Sequence, residues 1–197
     1  MIDNIPKHHR AIAKHIAYVW KARPQVKVWS CESGNSAKLA IANLEQFPIP
    51  EAKAFSTIGL SDFGGFEIAA VTALKNKSYV KALYDIGSYV IDGNRILEPG
   101  ATFEKVIAHY YTRSNAGHIL LTRLPLPSLS INELHFGSKT IKWLYAWSLT
   151  SNELVTFEKE GLNSFEERLQ KLQLKDILSL ERDTFPGVEH FDPWEAH

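Results

Sequence analysis

The chain has little of the chemistry that would mark a secreted or membrane protein. Cys31 is the only cysteine among 197 residues, so no internal disulfide can form, which is typical of a reducing compartment. The first ten residues carry charges instead of the apolar core of a signal sequence, and no uncharged window approaches the roughly 20 residues that cross a bilayer. We therefore expect a cytoplasmic protein with no membrane partner.

Common catalytic and cofactor motifs are also missing. The sequence has no phosphate-binding P-loop, no dinucleotide-binding Gly-x-Gly-x-x-Gly after a strand, no Gly-x-Ser-x-Gly elbow and no His-Glu-x-x-His. His8, His9 and His15 fall on one predicted helix, but no cysteine and histidine cluster has zinc-like spacing. We interpret these histidines as a solvated helix face, and we expect no metal and no cofactor.

A hydrolase would have to assemble its residues across the fold. Ser61 and Asp62 at a predicted turn and His118 at the head of a predicted strand are the candidates, because a catalytic triad is defined by geometry and not by sequence order. A structural interpretation is favoured: His118 can pair at a strand end, while Ser61 and Asp62 can hydrogen-bond the backbone of their own turn. We expect no catalytic residues.

The chain contains 45% hydrophobic and 22% charged residues, the composition of an ordinary globular domain. Apolar periodicity predicts helices at the start, middle and end and strands that occur mostly in hairpins. The predicted helices are 8–22, 78–91 with Ser78 as its N-cap, and two that begin with capping boxes at Thr150/Glu153 and Ser164/Glu167, the first ending at Gly161. The predicted strands are 26–31, 39–44, a strand leading into Gly59, 66–74, 118–124, 131–136 and 140–148; residues 103–111 fit either a short helix or irregular structure.

This order of elements favours an α+β fold with a mainly antiparallel, mixed sheet packed with helices over a regular βαβ succession. Trp143, Tyr145 and Trp147 alternate along one predicted strand, so their rings share one face. Too few basic residues lie among them for a nucleic-acid stacking platform, and we expect core packing. Direct nucleic-acid binding is not expected.

Charge is divided unevenly although the total is zero. Residues 1–150 carry a net charge of +6 and residues 151–197 carry −6. Such asymmetry can mark a surface that meets a charged partner, but the default interpretation is that the C-terminal helices have solvated acidic faces.

Several separated segments resemble the suppressor-of-fused domain family. They are Thr57-Ile58-Gly59-Leu60-Ser61-Asp62, the strand 66–74, and the segments 97–103, 117–121 and 149–154. The resemblance extends from about residue 26 to about residue 184, within a single domain spanning 1–197 whose last residues, 185–197, form a C-terminal arm. Thr57, Gly59, Leu60, Ser61 and Asp62 are then markers of the fold.

The similarity is greatest to short bacterial members of that family that act as antitoxins. This resemblance implies an immunity protein that binds and neutralises a co-encoded secreted nuclease toxin, a DNase, by covering its active site or a neighbouring exosite. The resemblance implies no catalytic residue for this chain. A general protein-binding adaptor is the alternative, and a hydrolase is the third class.

An inhibitor of a nuclease can offer carboxylates where the enzyme binds phosphates. The acidic C-terminal region supplies the candidate toxin-binding residues: Glu181, Asp183, Glu189, Asp192 and Glu195, with Trp194 beside them. If an aromatic anchor dominates affinity instead, Trp194 or an exposed Trp147 would provide it.

Overall fold

The computed structural model describes residues 5–30, 38–76, 79–93 and 96–185. Within them, the helices are α1 (Lys7–Val19), α2 (Ser61–Gly64), α3 (Tyr79–Ile91), α4 (Ser151–Leu169) and α5 (Leu174–Leu178). The strands are β1 (Gln25–Ser30), β2 (Lys38–Glu45), β3 (Ala52–Ile58), β4 (Phe66–Ala73), β5 (Thr102–Phe103), β6 (His118–Thr122), β7 (Leu134–Phe136) and β8 (Lys139–Leu149). These elements confirm the predicted α+β class.

The strands form one mixed sheet. Its order is β1-β2-β3-β4-β8-β6-β5, and β7 pairs with β8 beside this path. The β4 and β8 strands are parallel, from Phe66 opposite Lys142 to Ala70 opposite Ala146, whereas the other strand pairs within the described ranges are antiparallel. The predicted pairing of β1 with β2 and of β7 with β8 is therefore confirmed, and the turn between β1 and β2 lies outside the described residues.

Helices cover both faces of the sheet. One face packs against α1, α4 and α5, through buried residues such as Ile12 and Phe165. The opposite face packs against α3 and the segment 97–107, through residues such as Leu83. Because successive side chains of a strand point to opposite faces, β4 is buried along nearly its whole length and appears in the sequence as a continuous apolar run. None of the helices in the described part of the chain has the length and apolarity needed to cross a membrane.

The predicted first capping box opens α4. The Thr150 hydroxyl accepts from the Glu153 backbone N–H at 3.3 Å, and the Glu153 carboxylate accepts from the Thr150 N–H at 2.8 Å. Gly161 interrupts the helical backbone with φ of 77° and ψ of 172°. The predicted helix end at Gly161 is therefore confirmed, and a second helical segment follows it; this segment already includes Ser164, so the predicted start at Ser164 was wrong.

Residues 103–111 are irregular: the end of β5 is followed by turns, and the two helix-type bonds from His109 N–H to Lys105 and from Tyr111 N–H to Ile107 do not extend into a helix. The predicted helix cap at Ser78 lies outside the described residues, whereas α3 itself is confirmed.

Candidate functional site at the corner after β3

A buried carboxylate organises the corner that follows β3. Glu67 in β4 is 0% exposed, and its carboxylate accepts hydrogen bonds from the Thr57 hydroxyl at 2.6 Å and the Gly59 N–H at 2.9 Å. It also accepts from the Leu60 N–H at 3.3 Å and from the N–H and hydroxyl of Ser61 at 3.1 and 2.7 Å. A buried charge is stable only when such donors surround it. Residues 57–61, which belong to the segment that marks the family, therefore supply the hydrogen-bond donors that surround the Glu67 carboxylate.

This arrangement corrects the expectation that Ser61 and Asp62 hydrogen-bond their own turn. The Ser61 hydroxyl donates to Glu67, and the Asp62 carboxylate accepts from side chains on α1. The reason is that Glu67 already satisfies the amides of the corner, which leaves the Asp62 side chain available for more distant partners.

Asp62 lies at the centre of a cluster contributed by three elements. Its Oδ2 atom is 2.8 Å from His8 Nε2 and 2.9 Å from His9 Nε2, both in α1, and its Oδ1 atom is 3.1 Å from Lys139 Nζ in β8. Partial burial alone would raise the pKa of Asp62, but the hydrogen bonds from His8, His9 and Lys139 lower this pKa to about 2. The carboxylate is therefore ionised across the physiological pH range.

The histidines of α1 do not form the solvated face that the sequence predicted. The side chains of His8 and His9 are 19% and 16% exposed. His15 lies 2.8 Å from the Asn132 carbonyl oxygen, and its ring centroid is 5.5 Å from that of Trp143. All three contact other elements because the start of α1 packs over the corner and its middle packs near β8. No local pattern indicates these contacts, since His8 and Asp62 are 54 positions apart.

Gly59 allows His9 to pack against the corner. A Cβ atom on residue 59 would lie 2.6 Å from Cε1 of His9, so the imidazole would have to move away from its present position. The same residue has φ of 100°, a conformation that strongly favours glycine. Gly59 is therefore required both by the turn and by the imidazole above it.

The structure does not bring Ser61 and His118 together as a catalytic pair. His118 Nδ1 accepts from the Lys105 N–H at 3.4 Å, and its Nε2 lies 3.3 Å from the hydroxyl of Ser151. With a donor on Nδ1, the proton of the neutral ring resides on Nε2, so the nitrogen facing Ser151 has no lone pair to act as a base. His118 thus links the start of β6 to the start of α4, the structural role that we expected.

A second organised region lies where the acidic C-terminal segment begins. Arg182 donates to Glu153, with Nη2 2.8 Å from Oε2 and Nε 3.2 Å from Oε1. It also donates to the carbonyl oxygens of Ser148 and Ser179, and its guanidinium lies 4.0 Å from the centroid of the Phe185 ring. Glu153 is 0% exposed, and burial raises its pKa although Arg182 opposes that effect. Arg182 therefore fixes residues 179–185 to the start of α4.

Two candidate toxin-binding residues flank this anchor. Glu181 is exposed, accepts from the Tyr111 hydroxyl, and lies 3.7 Å from Lys75 Nζ. Tyr111 and then Lys75 lower the pKa of Glu181. Asp183 is exposed on the other side of Arg182. The remaining candidates, Glu189, Asp192, Trp194 and Glu195, lie outside the described residues.

The aromatic residues of β8 belong to the core. Trp143, Tyr145 and Trp147 are all buried, and the Trp147 indole donates to the Thr122 hydroxyl at 3.1 Å. The predicted core packing is confirmed. The idea of an exposed Trp147 anchor was wrong, since this side chain is 1% exposed and no partner could reach it.

Residues 35–183 match the model of the family described as suppressor of fused protein (SUFU), and the chain belongs to that family. It is 25% identical over 191 residues to the immunity protein YqcF of Bacillus subtilis (strain 168), an alignment that covers 91% of this chain and 98% of the relative.

Solved structures share the fold. The crystal structure of a SUFU homologue from Neisseria gonorrhoeae FA 1090 superposes with a TM-score of 0.68 at 15% identity, covering 89% of this chain and 95% of that one. A chain of the Sufu–Fu complex crystal structure gives a TM-score of 0.65 at 14% identity, with 88% of this chain and 89% of that chain covered. Drosophila Suppressor of Fused gives 0.64 at 12% identity, and the match spans 87% of this chain but 49% of the Drosophila chain.

Proposed function

We propose that this protein is an immunity protein that neutralises a co-encoded secreted nuclease toxin, a DNase, through a single suppressor-of-fused domain. The observation that carries the proposal is the similarity to the immunity protein YqcF over nearly the full length of both chains. The protein acts by binding and not by catalysis. Its place of action is the cytoplasm, where the producing cell needs protection from its own toxin.

The charge distribution supports a nuclease as the partner. A nuclease binds the phosphate backbone with lysine and arginine side chains, so its active-site cleft is basic. The last 47 residues of this chain carry a net charge of −6, which complements such a cleft. Complementary fields accelerate encounter and disfavour wrong partners.

We place the toxin-binding surface on the acidic C-terminal region, which comprises Glu181, Asp183, Glu189, Asp192, Trp194 and Glu195. The bonds of Arg182 to Glu153 support this placement, because they hold the first two of these carboxylates at a defined position on the domain. A fixed starting point lowers the entropy that the region loses on binding. The region then covers the active site of the toxin or a neighbouring exosite.

The first test is rescue by co-expression with the toxin encoded next to this chain. Cells that produce the toxin should grow only when the intact protein is present, and the purified protein should inhibit DNA cleavage at an equimolar ratio. A catalytically inactive toxin serves as the control for expression burden. Tight binding without inhibition of DNA cleavage would reject the nuclease part of the proposal, and absence of both rescue and binding would reject the immunity role.

The second test measures how the charges of the C-terminal carboxylates contribute to toxin binding. In the variant Glu189→Gln/Glu195→Gln, the association rate should fall and its dependence on salt concentration should become less steep. The matched control is Glu158→Gln/Glu167→Gln, which removes the same charge from exposed positions of α4. If both variants associate with equal rates and salt dependence, the C-terminal carboxylates are not the contact surface.

Trp194 tests the aromatic contribution to affinity. A buried tryptophan anchor commonly contributes about 2 kcal/mol or more, so Trp194→Ala should raise the dissociation rate about 30-fold. Trp194→Phe, which keeps an aromatic ring, should restore most of the affinity. An unchanged dissociation rate in Trp194→Ala would assign the affinity to the carboxylates alone.

The Sufu–Fu complex, in which a related fold is solved with a protein partner, favours one alternative: a general protein-binding adaptor. An adaptor would bind several unrelated peptides with similar affinities, whereas an immunity protein binds one toxin tightly. Titration of the toxin and a panel of peptides against the same protein distinguishes these classes.

A further inference from the structure

We propose that His8, His9 and Asp62 form a binding site for a divalent transition metal of the zinc class. Their nitrogen and oxygen ligand atoms all lie within 4.8 Å of one another. Two imidazoles and one carboxylate are a ligand set that Zn²⁺, Co²⁺ and Ni²⁺ all bind. The site is independent of the toxin-binding surface proposed above.

The two imidazole nitrogens converge on one carboxylate oxygen. His8 Nε2 and His9 Nε2 lie 2.8 and 2.9 Å from Oδ2 of Asp62. Around a tetrahedral zinc ion with bonds of about 2.1 Å, neighbouring ligand atoms are about 3.4 Å apart. The two contacts between the histidines and Asp62 would therefore need to lengthen by only about half an ångström to admit the ion, a change within the reach of side-chain rotation.

The fold holds both the histidine pair and Asp62 in position. His9 lies over the space that Gly59 leaves empty, since a Cβ there would be 2.6 Å from the ring. The His8 and His9 rings contact each other edge to face, with centroids 4.4 Å apart. Asp62 follows a corner whose amides and hydroxyls are bonded to the buried Glu67. Ligands held in this way lose little entropy when a metal binds.

Lys139 contacts the second carboxylate oxygen of Asp62. Its Nζ lies 3.1 Å from Oδ1, an oxygen that His8 Nε2 also approaches to 2.9 Å. The Lys139 side chain is 59% exposed, so the ammonium can move into solvent when a second cation arrives. Lys139 then weakens metal binding by charge repulsion without blocking the ligand atoms.

Three protein ligands leave further coordination positions. The ligand side chains remain 16% to 27% exposed, so the open side of a bound ion would face solvent. Water, or a side chain of a second protein, can complete the coordination. This geometry is typical of a metal site that is accessible at a surface and not of a closed structural zinc centre.

The test uses the full chain without a polyhistidine tag. Titration with Co²⁺ should produce visible d–d absorption bands, and calorimetry with Zn²⁺ should give one site per chain. In ¹⁵N spectra of the unaltered protein, Zn²⁺ should shift the Nε2 resonances of His8 and His9 and leave those of His15 in place. Absence of one-to-one Zn²⁺ binding, or shifts confined to other histidines, would overturn the proposal.

Variants test the same assignment. His8→Gln, His9→Gln and Asp62→Asn should each lower Zn²⁺ affinity by more than about 100-fold, beyond the effect of losing an outer-shell partner. His15→Gln, on the same helix, is the matched control and should bind as the unaltered protein does. Lys139→Gln should raise affinity by about 2- to 5-fold, the range for loss of one partly exposed charge interaction. Equal affinity in the ligand variants and in His15→Gln would refute the site.

Discussion

The imidazole of His9 fills the space in which a side chain of residue 59 would stand, and Gly59 leaves that space open. One glycine thus allows both a turn with φ of 100° and the packing of α1 against the corner after β3. The residues of this corner depend on one another. The Glu67 carboxylate accepts from the corner amides, Gly59 leaves room for the His9 ring, and the His9 ring contacts the Asp62 carboxylate.

Gly59→Ala should destabilise the protein by about 2–4 kcal/mol, since it adds backbone strain to a clash with His9. Gly65→Ala is the matched control, because Gly65 has φ of 74° and no atom within 4 Å of its missing Cβ. This control should cost only about 1–2 kcal/mol of strain. Urea denaturation measures both free energies of unfolding.

The double variant Gly59→Ala/His9→Ala separates the two causes. Removal of the imidazole should recover part of the loss caused by Gly59→Ala, giving a coupling energy of about 1 kcal/mol or more between these sites. Strictly additive effects would mean that backbone strain alone makes Gly59 necessary.

Glu67→Gln should cost about 2–3 kcal/mol, because the amide nitrogen is a donor and would face backbone N–H groups that now donate to a carboxylate oxygen. Glu51→Gln, at an exposed position, removes the same charge and should change stability by less than about 0.5 kcal/mol. Chemical denaturation at neutral pH compares the free energies of unfolding of the two variants. Equal denaturation midpoints would show that the corner does not depend on the buried carboxylate.

Arg182→Met should cost about 3–5 kcal/mol, since it leaves the buried Glu153 carboxylate without its cationic partner. Arg168→Met is the control: Arg168 pairs with Glu160 near the surface, and its loss should cost less than about 1 kcal/mol. A similar small cost for both variants would contradict the assigned role of Arg182.

The Arg182→Met variant also has an expected dependence on pH. Burial already raises the pKa of Glu153 above its ordinary value of 4.5 in the folded protein, and loss of Arg182 raises it further. Above pH 4.5 the unfolded chain then releases a proton that the folded chain retains, so stability falls as pH rises. Unfolding midpoints between pH 4.5 and 7.5 should therefore decline more steeply for the variant than for the unaltered protein.

His118 should make the protein sensitive to mild acid. Burial lowers the pKa of His118 below its ordinary value of 6.5, and nearby Lys105 adds to this effect, although Glu104 and Glu158 oppose it. As pH falls below 6.5, the unfolded chain binds a proton that the folded chain resists, so stability decreases. In His118→Gln the slope of stability against pH between 7 and 5.5 should be smaller, as thermal unfolding at each pH would show; an identical slope would contradict the assignment.

Local sequence patterns predicted much of the fold because they report on neighbouring residues. The capping box at Thr150 and Glu153 is confirmed, and so is the hairpin around Gly137, since both depend on interactions a few positions apart. The predicted helix stop at Gly161 is confirmed as well, because its φ of 77° and ψ of 172° lie outside the helical region; a second helical segment follows and buries Phe165.

The candidate metal site was not predictable from spacing. His8 and His9 are adjacent, and Asp62 is 53 positions beyond His9, so the cluster exists only once α1 packs on the corner. One signal was available: Glu67 is a charged residue at the start of an otherwise apolar strand. A carboxylate in that position requires several donors, and the donors form the corner that holds Asp62.

The parallel pairing of β4 with β8 delays completion of the sheet during translation. One edge of β4 pairs with β3, which is synthesised before it, but the other edge, at residues 66–70, stays unpaired until residues 142–146 of β8 have been synthesised. At the usual rate of translation, about 75 residues take ~4–15 s. During that interval the first half of the protein has a strand edge that is fully buried in the finished fold, and this edge is where chaperone contact or premature association of nascent chains would begin.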